Sequence, residues 1–73
     1  MKKQRYILFT ARISKSMTQA DVAKIIGISS KAYGHIENCR RNPSWEVAQR
    51  LEHFFNIPAG ELLAEGEAEN RDT

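Results

Sequence analysis

TQADVAKIIGISSKAYGHIEN, residues Thr18 to Asn38, reads as a helix, a sharp turn at Gly27 and a second helix. Thr18 with Asp21 three residues on has the form of a capping box, Asp replacing the usual Glu or Gln, so a helix is predicted to start at Thr18. Val22, Ala23, Ile25 and Ile26 supply its apolar side. Gly27 ends it, because a residue without Cβ enters the left-handed conformation of a C-cap at no steric cost. Ile28 then turns back toward the core, and Ser29 offers an N-cap oxygen to the next helix. In that helix Tyr33 and Ile36 share a face, while Ser30, Lys31, Gly34, His35 and Asn38 fall on the opposite one. The outward face is small, polar and cationic.

The flanking chain supplies three further helices. Tyr6 to Lys15 is predicted to form the first, with Leu8, Ala11 and Phe9 facing inward and Lys15-Ser16 closing it. The run Tyr6-Ile7-Leu8-Phe9 is also β-prone, which leaves pairing of the first few residues as a strand as the second choice. Met1 to Arg5 is polar and basic, a flexible arm or a short extended strand. Toward the C-terminus, Ser44 is an N-cap and Pro43 blocks extension backward. Trp45, Ala48, Leu51 and Phe55 follow at spacings of three and four as an inward stripe, with Trp45 as a core anchor. Asn56 reads as a C-terminal cap, and Ile57-Pro58 leads into a short fifth helix carrying Leu62 and Leu63. Phe54 lies off the main stripe. With Leu63 it either forms a dimer patch or covers the core. Residues 64–73 have no apolar periodicity and many acids, the pattern of a frayed helix end running into a disordered tail. The expected organisation is a basic arm (1–5), one domain (6–63) and an acidic tail (64–73).

Composition narrows the function classes. Seventy-three residues allow one small domain with a modest core. The lone Cys39 excludes an internal disulfide and a cysteine-based zinc cluster, and suits a reducing cytoplasm. The longest purely apolar run, Tyr6 to Phe9, is far too short for a membrane span or a signal-peptide core. A cytoplasmic location without membrane contact is therefore expected. The net charge of +2 hides an asymmetry: residues 1–43 carry nine Lys and Arg against Asp21 and Glu37, whereas residues 44–73 carry Arg50 and Arg71 against seven acids. The basic part coincides with the helix-turn-helix, as a surface that meets phosphate requires. No carboxylate pair stands near a histidine, there is no glycine-rich phosphate loop, and no metal-ligand spacing is present. His35 and His53 have no Cys or Asp constellation around them, and the chain is too short to enclose a deep pocket. No enzyme activity, metal or cofactor is expected.

A short helix, a glycine turn and a second helix with a polar, basic outer face is the layout of a helix-turn-helix DNA reader. Thr18-Gln19, Ala23, Gly27, Ser29, Ile36-Glu37-Asn38 and Asn42-Pro43-Ser44 together resemble the phage Cro and repressor type of helix-turn-helix domain, the XRE family of prokaryotic and phage regulators. The resemblance runs from about Leu8 to Leu63. It implies an all-α fold, a compact five-helix lambda-repressor-like DNA-binding domain. It also implies that Arg12 pairs with Glu37, tying the first helix to the third as scaffold, and that Met17 is an apolar plug. Ser16 and Cys39 stand where the family commonly has glycine, so both turns are expected to be less comfortable.

On this reading residues 29–38 form the helix that enters the major groove, with base edges read by Ser30, Lys31 and His35. Lys31 suits guanine O6 and N7, and His35 is expected to read by hydrogen bonding rather than as a fixed cation. Gly34 on this face implies close backbone approach or mere tolerance. By resemblance Gln19 grips a phosphate beside the amides of its own helix N-terminus. Ser29, Asn38, Arg40 and Arg41 are further phosphate-contacting residues. A single domain makes few base contacts, so a homodimer on an inverted repeat of double-stranded DNA is expected, acting as a repressor. A different use of the same fold, as an antitoxin or other module that binds a protein partner, would make the acidic 44–73 segment the docking end.

Overall fold

The computed structural model describes residues 3–67, with side chains to Gly66. Five helices follow one another: α1 (Tyr6–Ser14), α2 (Gln19–Ile26), α3 (Ser30–Glu37), α4 (Trp45–Phe55) and α5 (Ala59–Leu62). They are enclosed by a two-stranded ribbon in which β1 (Lys3–Gln4) runs antiparallel to β2 (Gly66–Glu67), pairing Lys3 with Glu67 and Gln4 with Gly66. The fold is the all-α, five-helix arrangement expected, with this minimal ribbon added. Among the described residues no helix is long and apolar enough to cross a membrane.

The boundaries follow from local chemistry. Thr18 Oγ1 accepts from the Asp21 N–H at 3.0 Å and Asp21 Oδ2 accepts from the Thr18 N–H at 2.9 Å, a reciprocal capping box. The bond from the Thr18 N–H, first, and the Thr18 hydroxyl beside it hold the Asp21 carboxyl below the ordinary carboxylate range. Gly27 closes α2 at φ 92°, and its N–H reaches Ala23 O at 2.8 Å. Ser29 and Ser44 cap α3 and α4 through bonds from Ala32 N and Val47 N. Asn56 ends α4 in the left-handed region at φ 58°. Ser16 and Cys39 also sit there, at φ 57° and 61°, where glycine is the favoured residue.

Leu8, Val22, Ala23, Ile26, Tyr33, Ile36, Leu51, Phe55 and Leu62 form the buried core. Phe9 and Ala48, expected to face inward, are only half-buried, and two further expected core residues are exposed. Trp45 is 78% exposed, and Ile25 is 54% exposed. The α4 stripe runs instead through Val47, Leu51 and Phe55, with Phe54 packed against it. At about 100° per residue, the six-residue step from Trp45 to Leu51 leaves them some 120° apart, so two successive spacings of three carry Trp45 off the inward face. Phe54 and Leu63 are both half-buried against the core; Phe54 meets the Phe55 ring edge-on at 4.8 Å and has the Lys15 ammonium 5.2 Å above it.

The N-terminal end takes the second of its two expected forms, the short extended strand, whereas the C-terminal end departs from expectation. Lys3–Gln4 is a strand and Arg5 is buried, so this stretch is no free arm: the ribbon partner comes from Gly66–Glu67, inside the segment expected to be disordered. The remainder of the expected tail, 68–73, and of the arm, 1–2, lies outside the described residues.

Candidate nucleic-acid interface

Glu37 is the fixed point from which the outer face of α3 is built. It is only 1% exposed, and its carboxylate accepts four hydrogen bonds. Arg12 approaches it bidentately, Nε to Oε2 at 2.8 Å and Nη2 to Oε1 at 3.0 Å. Tyr33 Oη donates to Oε2 at 2.9 Å and Gln19 Nε2 to Oε1 at 2.9 Å. Arg12 spends another donor on Met17 O at 2.9 Å, closing the turn between α1 and α2, and lies 5.3 Å over the Phe9 ring. Helices α1, α2 and α3 thus meet at one carboxylate.

The charge states follow from this packing. Burial opposes ionisation of Glu37, but the bonds from Arg12, Gln19 and Tyr33 together outweigh it and hold the carboxyl below its ordinary value. The bonds that Arg12 donates to Glu37 in turn raise Arg12, more than burial lowers it. Burial first, and the neighbouring carboxylate second, push the Tyr33 hydroxyl far above its ordinary value. Glu37 is therefore an anion held by one cation and two neutral donors, a satisfied charge rather than a reactive one.

Outside this network α3 presents its free face. Ser29, Lys31, Ala32, His35, Arg40 and Arg41 line a single open cleft of about 400 Å³. Lys31, Arg40 and Arg41 are exposed, and His35 is half-buried. The loop that carries the arginines is pinned to the helix, because the Arg40 and Arg41 N–H groups both reach His35 O, at 2.8 and 3.2 Å. A second hollow beside it brings Gln19 and Ser30 together with Met17, Thr18 and Ala20 at the start of α2. Asn38, the C-cap of α3, is exposed and donates its N–H to Gly34 O at 3.0 Å. Ser29 Oγ already accepts the Ala32 N–H, which leaves its hydroxyl hydrogen for an outside acceptor. Gln19 likewise keeps one amide hydrogen after bonding Glu37. Gly34 faces Gln19: a Cβ at residue 34 would stand 3.1 Å from Gln19 Oε1.

Three residues that tie the elements together were not singled out from sequence. Arg50 Nη1 donates to Ile26 O at 3.0 Å, capping the C-terminal end of α2, while its Nη2 pairs with Glu46 at 3.2 Å. Glu52 accepts the Ala59 N–H at 3.1 Å and so caps the start of α5. Arg5, 3% exposed, reaches the carbonyls of Ile36 and Arg41 at the far end of α3. Cys39 is half-buried there, and burial raises its thiol above the ordinary value.

A helix-turn-helix family model matches residues 8–62. A cryptic phage CTXphi transcriptional repressor, RstR of Vibrio cholerae, is 29% identical over 56 residues, 77% of this chain and 50% of that protein. The chain thus spans about half the length of that relative.

Proposed function

The chain belongs to the helix-turn-helix family, and we propose that it is a sequence-specific regulator of transcription, a repressor that binds an inverted-repeat operator in double-stranded DNA as a homodimer. The observation that carries this reading is the single cleft in which Lys31 and His35 of α3 stand beside Arg40 and Arg41 of the following loop. An exposed helix face with short polar and cationic side chains fits the major groove, and flanking arginines fit its phosphate walls. The similarity to a phage transcriptional repressor supports the same class of activity.

In this reading α3 lies in the groove with its N-terminal half toward the bases. Ser30, Lys31 and His35 read base edges, while Gly34 leaves room for Gln19 to lie across the helix. Gln19, Ser29, Asn38, Arg40 and Arg41 hold phosphates and fix the register. Glu37 touches no DNA: it sets the angle between α2 and α3 and holds Gln19 at the rim of the groove. Two copies would place their α3 helices about 34–36 Å apart, one turn of duplex. Phe54 and Leu63, half covered by their own core, retain apolar surface for such a dimer.

Selection from a random duplex pool at near-physiological salt tests the proposal. Enrichment of an inverted repeat is the expected result. If no sequence is enriched and binding stays weak, the DNA reading fails and the fold serves a protein partner instead.

A further inference from the structure

Arg5 lies immediately before α1, yet every acceptor of its guanidinium belongs to a segment at least thirty-one residues away. Nε donates to Leu63 O at 2.9 Å. Nη1 donates to Ile36 O and to Arg41 O, the latter at 3.3 Å. Nη2 donates to Asn42 Oδ1 at 3.0 Å and to Glu65 Oε2 at 3.3 Å. A guanidinium has five N–H groups, and here each has an acceptor. The Arg5 backbone N–H adds a bond to Glu37 O at 3.0 Å. Two of the carbonyls, from Ile36 and Leu63, lie at helix C-terminal ends, where the partial charge is negative and a cation is favoured. Among the described residues Glu65 is the one carboxylate that pairs with this guanidinium, and it also lies 3.8 Å from Lys3 Nζ.

These bonds converge on the loop after α3. Arg41 and Asn42 are held by Arg5 from inside, while the Arg40 and Arg41 N–H groups are held by His35 from the helix. Nothing else among the described residues ties this loop to α1, α5 and the ribbon through one side chain. Cys39 in this loop is in the left-handed region that disfavours its side chain, so the loop has an intrinsic tendency to relax that the Arg5 bonds oppose.

We propose that Arg5 is a positioning residue for the DNA face: its buried guanidinium sets where Arg40 and Arg41 stand relative to α3, and its bond to Glu65 makes the segment after α5 part of that setting. The inference rests on the DNA-binding reading for its consequence, but its structural half stands apart from DNA. Lysine at position 5 keeps the charge while offering at most three donors from a single atom, so it cannot reproduce the fivefold pattern.

Two measurements decide it. Amide hydrogen exchange on the free protein should show Arg40 and Arg41 exchanging about tenfold faster in Arg5→Lys, with the α2 amides unchanged. Uniform acceleration throughout the domain, or no change in the loop, would overturn the positioning role. The second is a double-mutant cycle on the selected duplex, with Arg5→Lys made in the wild-type chain and in the Arg40→Gln/Arg41→Gln background. Arg5→Lys should weaken binding roughly tenfold in the first and less than about twofold in the second, and should lower the salt slope by about 1–2. Equal losses in both backgrounds would show that Arg5 acts through general stability and would overturn the proposal. If Arg5→Lys does not fold, Glu65→Gln, which keeps the other four bonds, runs the same two measurements with the same signs and smaller size. Should the wild-type chain select no duplex, the function reading fails by that result, and the exchange experiment alone decides the role of Arg5.

Discussion

Gln19 lies across Gly34: its Nε2 is tied to Glu37 at 2.9 Å while its Oε1 occupies the space 3.1 Å from where a Cβ on residue 34 would be. A glycine inside a helix costs roughly 0.5–1 kcal/mol relative to alanine, so this close approach is what the sequence gains in exchange. Gly34→Ala must move a side chain whose far end is held. The substitution should therefore change stability by less than about 0.5 kcal/mol in the native chain, the helix-propensity gain being offset. In a Gln19→Ala background the full gain of about 1 kcal/mol should appear. Urea titration of the four proteins reads both. A full gain in the native background would show that Gln19 yields freely.

The Arg12–Glu37 pair should be the most sensitive polar contact in the fold. Arg12→Met leaves a buried carboxylate with two neutral donors and no cation, and a loss of about 3–5 kcal/mol is expected. Replacing Arg12 by Met and Glu37 by Leu together should recover much of that loss, because neither charge of the pair then remains buried. Chemical denaturation of the three variants checks this.

Acid should unfold the domain through the same carboxylate. The folded-state pKa of Glu37 lies below the ordinary 4.5, so its ionised form is favoured in the folded protein. The stability it contributes is fully present above the ordinary value and is lost as pH falls below 4.5 and through the lower folded pKa. Asp21, also depressed, acts in the same direction. Tyr33 works at the other end: its folded pKa is raised, so its contribution is present below the ordinary value of 10.0 and fades as pH rises above it. Melting temperature against pH should therefore fall at both extremes. In Tyr33→Phe the alkaline fall should be reduced.

Ser16 and Cys39 should each be improvable by glycine. A side chain in the left-handed region costs about 1–2 kcal/mol, and the added freedom of glycine in the unfolded chain returns about 0.4–1 kcal/mol of this, leaving a net gain near 0.5–1 kcal/mol per site. Thermal melts of Ser16→Gly and Cys39→Gly should shift upward, and independently, because the two turns share no partner.

Local signals were the legible ones. The capping box at Thr18, the glycine stop at Gly27 and the serine caps at 29 and 44 each depend on residues within three or four positions, and each appears in the fold where the sequence put it. Trp45 was misread because its spacing to Ala48 and Leu51 matched a helical stripe pair by pair while the phase drifted over two steps. Ile25 was misread by adjacency to Ile26. Trp45→Ser should consequently change stability by less than about 0.5 kcal/mol, against about 2–5 kcal/mol for Leu51→Ala. Arg5 carried no legible signal at all. Its partners at 36, 41, 42, 63 and 65 are gathered only by the closed fold, and a lysine-rich leading stretch reads as a solvated arm until then. The charges of Lys31, Arg40 and Arg41 were legible as a basic surface; their meeting in one cleft with His35 was not.

The proposed function divides labour on that cleft, with α3 reading bases and the loop holding phosphates. The most direct test is the ratio of affinities for the selected duplex and a single-base variant of it, measured across salt for Lys31→Gln and Arg40→Gln. Lys31→Gln should lower the ratio by about 1–3 kcal/mol equivalent, while Arg40→Gln should leave the ratio unchanged, weaken both duplexes alike and lower the salt slope by about 1. The same loss for both variants, on both duplexes, would contradict base reading by α3.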